Sequence, residues 1–257
     1  MPSGTGLACA FIDVEGHLAD AMADMEAPVV ERFDRLAFRI DGATHPRTIE
    51  MAMRLGARVQ VAERDIESAG AYRRGAVDDA RAAGSEVILT GDLDHILRWL
   101  REAPGEVDGA LARVRDGEVD CLVVGRPAEA FARAPAPLRE TERLVNLAFA
   151  RVAGIEGPPW DLLSSVRVLS GAAADTIVEE GEVDTLGTDV EWPLLCRAAG
   201  GLAVDYLGAA HLSYEEGNVL VPPPADPEAP GSAEAWLLRL RVCGWMADAM
   251  APYLADA

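Results

Sequence analysis

Short apolar runs alternate with amphipathic stretches through the first hundred residues. Leu7–Ile12, Leu36–Ile40, Arg58–Ala62 and Glu86–Thr90 have the length and composition of strands. Between them lie helical patterns. His17–Phe33 carries Leu18, Met22, Met25 and Val29/Val30 on one side, and Pro46–Leu55, Ala71–Ala83 and the segment through Trp99 follow. This alternation predicts an α/β fold with a mostly parallel, doubly wound central sheet flanked by helices. After Pro104 the pattern loosens. Val119–Gly125 and Leu202–Leu207 still read as strands, and Leu138–Val152, Ala172–Glu179 and Val190–Ala199 as helices.

The run VPPPADPEAPGS reads as a semi-rigid linker. An amphipathic helix from Ala233 to Met250 comes after it, carrying Trp236, Leu240, Cys243 and Met246. The expected organisation is one domain over 1–220, a linker over 221–232 and a C-terminal helical extension over 233–257. That extension would pack on the domain or on a partner, and its Trp, Leu and Met content suits a homodimer contact, a lid or core packing equally.

Charge narrows the chemistry. The net charge is −20, and all 23 basic residues are arginine. The absence of lysine excludes a P-loop lysine, a Schiff-base lysine and a lysine general base. Such acidity argues against general binding to nucleic acid or anionic membranes. A phosphate-bearing ligand would need local arginines or a divalent cation. The four cysteines are scattered without metal-ligand spacing and read as reduced thiols. No apolar run approaches the ~20 residues of a transmembrane span. The N-terminus lacks secretory features, so a cytoplasmic protein is expected.

In doubly wound sheets ligands bind beyond the carboxyl ends of the strands. Asp13, Asp41, Asp92 and Asp94 all fall at such ends. In GDLD, two acids one residue apart on an extended segment would face the same side. Both could hold one Mg2+ or Mn2+ that also takes diphosphate oxygens. The competing reading is a helix-starting turn with Asp94 as N-cap. A haloacid-dehalogenase-type phosphatase is a further alternative, because FIDVEGHLADAM offers Asp13 and Gly16. Glu15 and His17 depart from that pattern, and the downstream lysine is missing.

The order of motifs carries a resemblance. Asp13-Val14-Glu15, RIDGAT with Asp41, GAYRRGAVDDA with Arg73 and Arg74, and GDLD follow one another as in GT-A glycosyltransferases of the large family-2 type. That group includes dolichyl-phosphate mannosyltransferases and glucosyl-phosphoglycerate synthases. VDCLVVGRP resembles the family's strand ending in Gly-x-Arg, LRETERLVN the Arg-rich helix after it, and DLLSSVR the D-x-x-S-G-x-R acceptor loop. GTDVEWPLLCRA stands where the helix with the catalytic acid belongs. The resemblance spans roughly residues 7 to 216. Departures are Val14-Glu15 for the usual Asn-Glu, Ser165 for the usual glycine, and no C-terminal membrane helices.

The resemblance implies a Rossmann-like GT-A domain transferring a sugar from a nucleotide-diphosphate sugar to a soluble hydroxyl acceptor, with Mg2+ or Mn2+. Donor contacts would come from Asp13, Glu15, Asp41, Arg73, Arg74 and Asp92. Metal ligands would be Asp92, Asp94 and His211, with Glu215 a rival for the last. Asp161, Arg167 and Trp192 would shape the acceptor side, and Asp189 would act as base or acceptor contact. Structural tasks compete for several of these. Asp41 could shape its turn, and only one of Arg73 and Arg74 is expected at phosphate. Asp161 and Arg167 could pair with each other, Asp189 could cap its helix, and Trp192 could be core. A sugar nucleotidyltransferase lacks its glycine-rich signature here. A non-catalytic GT-A scaffold remains the non-enzymatic alternative.

Overall fold

The computed structural model describes residues 4–63, 65–212 and 232–254. Most of the linker and Glu215 therefore lie outside the described residues. The elements are β1 (Thr5–Phe11), α1 (His17–Asp24), α2 (Glu26–Arg32), β2 (Arg35–Asp41), α3 (Pro46–Arg54), β3 (Arg58–Ala62), α4 (Ala69–Ala82), β4 (Val87–Thr90), α5 (Leu93–Glu102) and α6 (Pro104–Arg115). They continue with β5 (Cys121–Gly125), α7 (Ala128–Phe131), α8 (Ala136–Val152), β6 (Val166–Ser170), α9 (Gly171–Glu180), α10 (Thr188–Ala198), β7 (Val204–Gly208) and α11 (Ala233–Met250).

The described strands form one seven-stranded sheet in the order β3-β2-β1-β4-β6-β5-β7. It is the mostly parallel sheet that the alternation predicts. The exception is β6, inserted antiparallel between β4 and β5. Central β1 is buried along its whole length, as an uninterrupted apolar strand covered on both faces should be. Edge strand β3 is exposed at most positions.

One face is covered by α1, α2, α3, α5 and α6, through Leu18, Met22, Met51, Ile96, Trp99 and Leu111. On the opposite face α4, α9 and α10 contribute Ala76, Val77, Ile177 and Cys196. A third cluster joins Val123 of β5 to α8, α10 and α11 through Phe149, Leu194 and Met246. The C-terminal helix thus packs on α8 and α10 of its own chain.

Local chemistry explains where sequence and structure part. The single helix expected over 17–33 breaks at Met25, because Pro28 is tolerated only in a first helical turn, and α2 places it there. Helix α6 was hidden by Gly105 and Gly109, which weaken a helical pattern that Pro104 nonetheless starts well. Cys9, Cys121 and Cys196 are buried free thiols and Cys243 is half-buried, as expected. Among the described residues no helix is long and apolar enough to cross a membrane.

The turn after β4 is built around Gly91. Its φ is 152°, and a Cβ there would lie 2.9 Å from the Val166 Cα and 3.0 Å from the Ser165 carbonyl oxygen. Both obstacles are backbone, so neither can rotate away. Gly91→Ala is expected to destabilise the fold by about 2–4 kcal/mol. Urea unfolding checks this, and a loss under about 0.5 kcal/mol contradicts it.

Candidate active site

The carboxyl ends of β1, β2 and β4 border a cleft of about 390 Å³. Its apolar walls come from Ala10, Ile12, Ile66, Ala69 and Leu186, and its polar groups are Asp41, Asp65, Arg73 and Asp92. Three of the residues singled out in the sequence therefore meet in one place. Asp41 ends β2, and one of its carboxylate oxygens accepts from the Ala43 N–H at 2.8 Å. That bond shapes the turn and leaves the residue lining the cleft. Asp65 escaped the sequence reading. Its signal is the acid–x–x–Ser pattern of DIES, and Asp65 with Ser68 forms a capping box on the turn before α4.

Arg73 is the centre of the site. Its guanidinium donates to Asp92 at 2.8 Å, to Asp189 at 3.1 Å and to the Ser165 hydroxyl at 2.9 Å. Burial works against its charge, but Asp189 and Asp92 overcome it and hold the group well above its ordinary value. Arg74 turns the other way, donating to the Val183 carbonyl and to Asp184 and pinning the loop before α10. Of the two arginines, Arg73 lines the cleft and Arg74 does not.

Asp189 is the second residue of α10 and does not cap it; Gly187 holds the N-cap position. Its carboxylate is 8% exposed. It takes Arg73 on one oxygen and the Ser165 hydroxyl, at 3.3 Å, on the other. Burial pushes its pKa up, Arg73 and Arg167 pull it down, and Asp92 adds repulsion; the net shift is upward.

Other expectations are revised by where the side chains point. The Asp13 carboxylate accepts from the backbone of His17 and Leu18 and from the Thr48 hydroxyl, at 3.0, 2.8 and 2.6 Å. It is an interior cap for α1 at 1% exposure, unsuited to donor contact or to a phosphatase nucleophile. Glu15 is exposed and does not line the cleft. Arg167 is buried, and its nitrogens donate to the carbonyls of Val166, Leu162 and Asp189. It stitches the 161–165 loop to α10 and does not face an acceptor. Asp161 pairs with Arg126, not Arg167. Trp192 is buried in the core between the sheet and α9, so it offers no stacking surface.

The GDLD segment is a strand-to-helix turn. Asp92 is the N-cap of α5 and Asp94 is already its second residue, so the period-two geometry of a strand does not apply. Burial raises the Asp94 pKa, His95 opposes it, and Asp92 adds to it, which places the two carboxylates within electrostatic reach. Among the described residues no group of three or more His, Cys, Asp or Glu side chains could hold a metal ion. His211 does not join the pair. It sits in the Ala210–Leu212 turn packed on α5, where it bears electrostatically on Glu102 at that helix's far end. Asp92 lines the cleft and Asp94 does not; one or two carboxylates are what a divalent cation of the Mg2+ type takes from a protein before substrate phosphates and water fill its shell.

A second cavity, about 460 Å³, opens on the same sheet edge beyond β5 and is lined by Arg126, Phe131, Asn146, Pro158, Asp161 and Tyr206 among others. Beneath it lies a buried charge network. Arg126 donates to Asp161 at 2.6 and 2.9 Å and to Glu142 at 2.5 Å, and Arg239 of α11 donates to Glu142 at 2.7 Å. Burial raises the Glu142 pKa against the pull of both arginines. For Asp161 burial also acts upward, but Arg126 wins and holds it below its ordinary value.

The sheet order, the antiparallel β6 and the cleft beyond β1, β2 and β4 define the GT-A class of fold. Solved structures sharing it include glucosyl-3-phosphoglycerate synthase of Mycobacterium tuberculosis, with a TM-score of 0.60 and 16% identity over 99% of this chain and 82% of that one. The same enzyme in complex with Mn2+, UDP and phosphoglyceric acid gives 0.60 and 13%, covering 99% and 80%. Its complex with Mn2+, UDP-glucose and phosphoglyceric acid gives 0.56 and 12%, covering 99% and 81%. The resemblance read from the order of motifs therefore holds at the level of the fold. No protein-family model matches the sequence, and no curated protein matches it.

Proposed function

We propose that the protein is a glycosyltransferase that takes a nucleoside-diphosphate sugar in the cleft of Asp41, Asp65, Arg73 and Asp92. The observation that carries this reading is Arg73, a buried guanidinium at the carboxyl edge of the sheet with Asp92 on one side and Asp189 on the other. A phosphoryl oxygen near it would find a guanidinium already shared by two carboxylates, so a diphosphate there would need both Arg73 and a divalent cation to offset its charge. Asp41, at the β2 end, stands where the base and ribose would lie. Mg2+ or Mn2+ would be held by Asp92 and Asp94, and when bound it supplies charge neutralisation for the leaving diphosphate. The solved GT-A structures with Mn2+ and UDP support this assignment.

The acceptor enters from the side of the second cavity, across the 161–165 loop. Its hydroxyl oxygen bonds to the anomeric carbon as the bond from that carbon to the diphosphate oxygen breaks. The nucleoside diphosphate leaves with the electron pair, and Asp189 takes the hydroxyl proton. Because Asp189 sits above the ordinary carboxylate range, its deprotonated form is lost early on acidification. The acid limb of kcat is expected at a higher pH than an exposed carboxylate would give, and a limb at or below about pH 4 contradicts Asp189 as base.

A thermal-shift panel with UDP-, GDP- and ADP-sugars and Mn2+ tests the reading. One base should raise Tm by several degrees at ligand about 100-fold over Kd. Asp92→Ala should remove that rise. No rise with any donor sinks the proposal.

A further inference from the structure

Ser165 is the one non-glycine residue with positive φ among the described residues, at 63°. Left-handed backbone is unfavourable for any residue with a Cβ and open to glycine, and glycine is what the acceptor-loop motif has at this position. Strain of this kind persists where surrounding structure imposes it, and it gathers at functional sites. The loop here is firmly imposed. Arg167 holds the Leu162 carbonyl at 2.7 Å, and the Ser164 hydroxyl donates to the Val124 carbonyl.

The serine side chain makes use of that backbone. Its Oγ accepts from the Arg73 Nη2 at 2.9 Å and donates to the Asp189 Oδ2 at 3.3 Å. The Arg73 Nη1 donates to the Asp189 Oδ1 at 3.1 Å. The result is a closed ring in which both carboxylate oxygens are tied to one guanidinium, one directly and one through the hydroxyl. Arg73 also holds Asp92, so the ring fixes Asp189 in relation to the diphosphate side of the cleft. With glycine at 165, Oδ2 would lose its donor and the carboxylate plane would be free to turn about a soft torsion.

We propose that Ser165 is a positioning residue for Asp189, its hydroxyl fixing the carboxylate plane against Arg73 so that the proton-accepting lone pairs face the acceptor. The inference rests on the reading of Asp189 as the proton acceptor. A glycine would make the same turn with less strain, so the serine gives up some stability in return for a preorganised base.

The test compares Ser165→Gly and Ser165→Ala with the wild type, using UDP-glucose and Mn2+ with water as the acceptor. Both variants should lose about ten- to a hundredfold in kcat, the scale of a hydrogen bond to a charged group. KM for UDP-glucose should stay within about twofold, because the donor contacts remain. Ser165→Gly should at the same time have the higher Tm of the two variants, since it alone relieves the backbone. A Ser165→Gly protein with raised Tm and wild-type kcat overturns the proposal. If the wild type does not turn over UDP-glucose, the glycosyltransferase reading with that donor is what fails. The ring is then judged on stability alone, by combining Ser165→Ala with Asp189→Asn. Tm losses smaller in the double variant than the sum of the two singles support it; additive losses overturn it.

Discussion

Arg73→Leu is expected to cost about 3–5 kcal/mol of stability and to abolish nucleotide-dependent stabilisation together. The first effect comes mainly from Asp189, which is almost fully buried and would keep the Ser165 hydroxyl as a donor and the buried Arg167 as the nearby cation. Asp92 contributes less, because its side chain is 37% exposed and water screens what the arginine leaves behind. The second effect follows from position, since Arg73 is the cation lining the cleft. Arg74→Leu is the internal control. That side chain holds a loop carbonyl and the exposed Asp184, so its loss should cost about 1 kcal/mol or less and leave nucleotide binding intact. Urea unfolding and thermal shift with UDP-glucose and Mn2+ check both variants. Equal effects at the two positions contradict the division of labour.

Arg126→Met should be as damaging to the fold while leaving the Arg73 cleft chemically complete. It strips Asp161 and Glu142, both buried, of their shared cation, and Arg239 reaches only Glu142. An expected loss of about 3–5 kcal/mol follows from leaving buried charge unpaired. The pH dependence has a definite sign. In the wild type the Asp161 pKa is held below its unfolded value, so this group's stabilisation is full above that unfolded value and is lost as pH falls through the folded one. In the variant that pull is gone and burial dominates, so protonation of the two carboxylates relieves the damage. The stability gap between variant and wild type should narrow from pH 7.5 to pH 5. A gap that is constant with pH means the loss is one of packing. Since α11 joins the network through Arg239, the C-terminal helix also buttresses the wall of the second cavity.

How far the site could be read in the sequence depended on what each residue's neighbours in the chain could say. Asp41 and Asp92 were legible because a strand end is visible in the apolar pattern and the sheet class assigns it a side. Asp13 has the same sequence context and a different task, since a strand-end acid and a cap for the following helix differ only in where the side chain turns. Arg73 and Arg74 are adjacent on α4 and point about 100° apart, so one of them had to leave the cleft, but which one depends on how the helix sits on the sheet. The partner of Asp161 was beyond reach. Antiparallel β6 sets Arg167 between Thr90 and Val123, where backbone carbonyls of the loop and α10 claim it, and this leaves Asp161 to Arg126. The period-two geometry expected of the GDLD acids does not hold, because the helix begins at Leu93 and Asp94 no longer follows strand periodicity; Asp92 lines the cleft and Asp94 does not.

On the proposed function this cleft holds a nucleotide diphosphate through Arg73, and Asp92 and Asp94 would hold a divalent cation. Anomalous diffraction at the manganese edge, from crystals grown with UDP and Mn2+, tests it most directly. One anomalous peak is expected within coordination distance of Asp92 or Asp94 and next to the diphosphate, with the uracil towards Asp41. A peak elsewhere, or UDP bound with its phosphates away from Arg73, contradicts it.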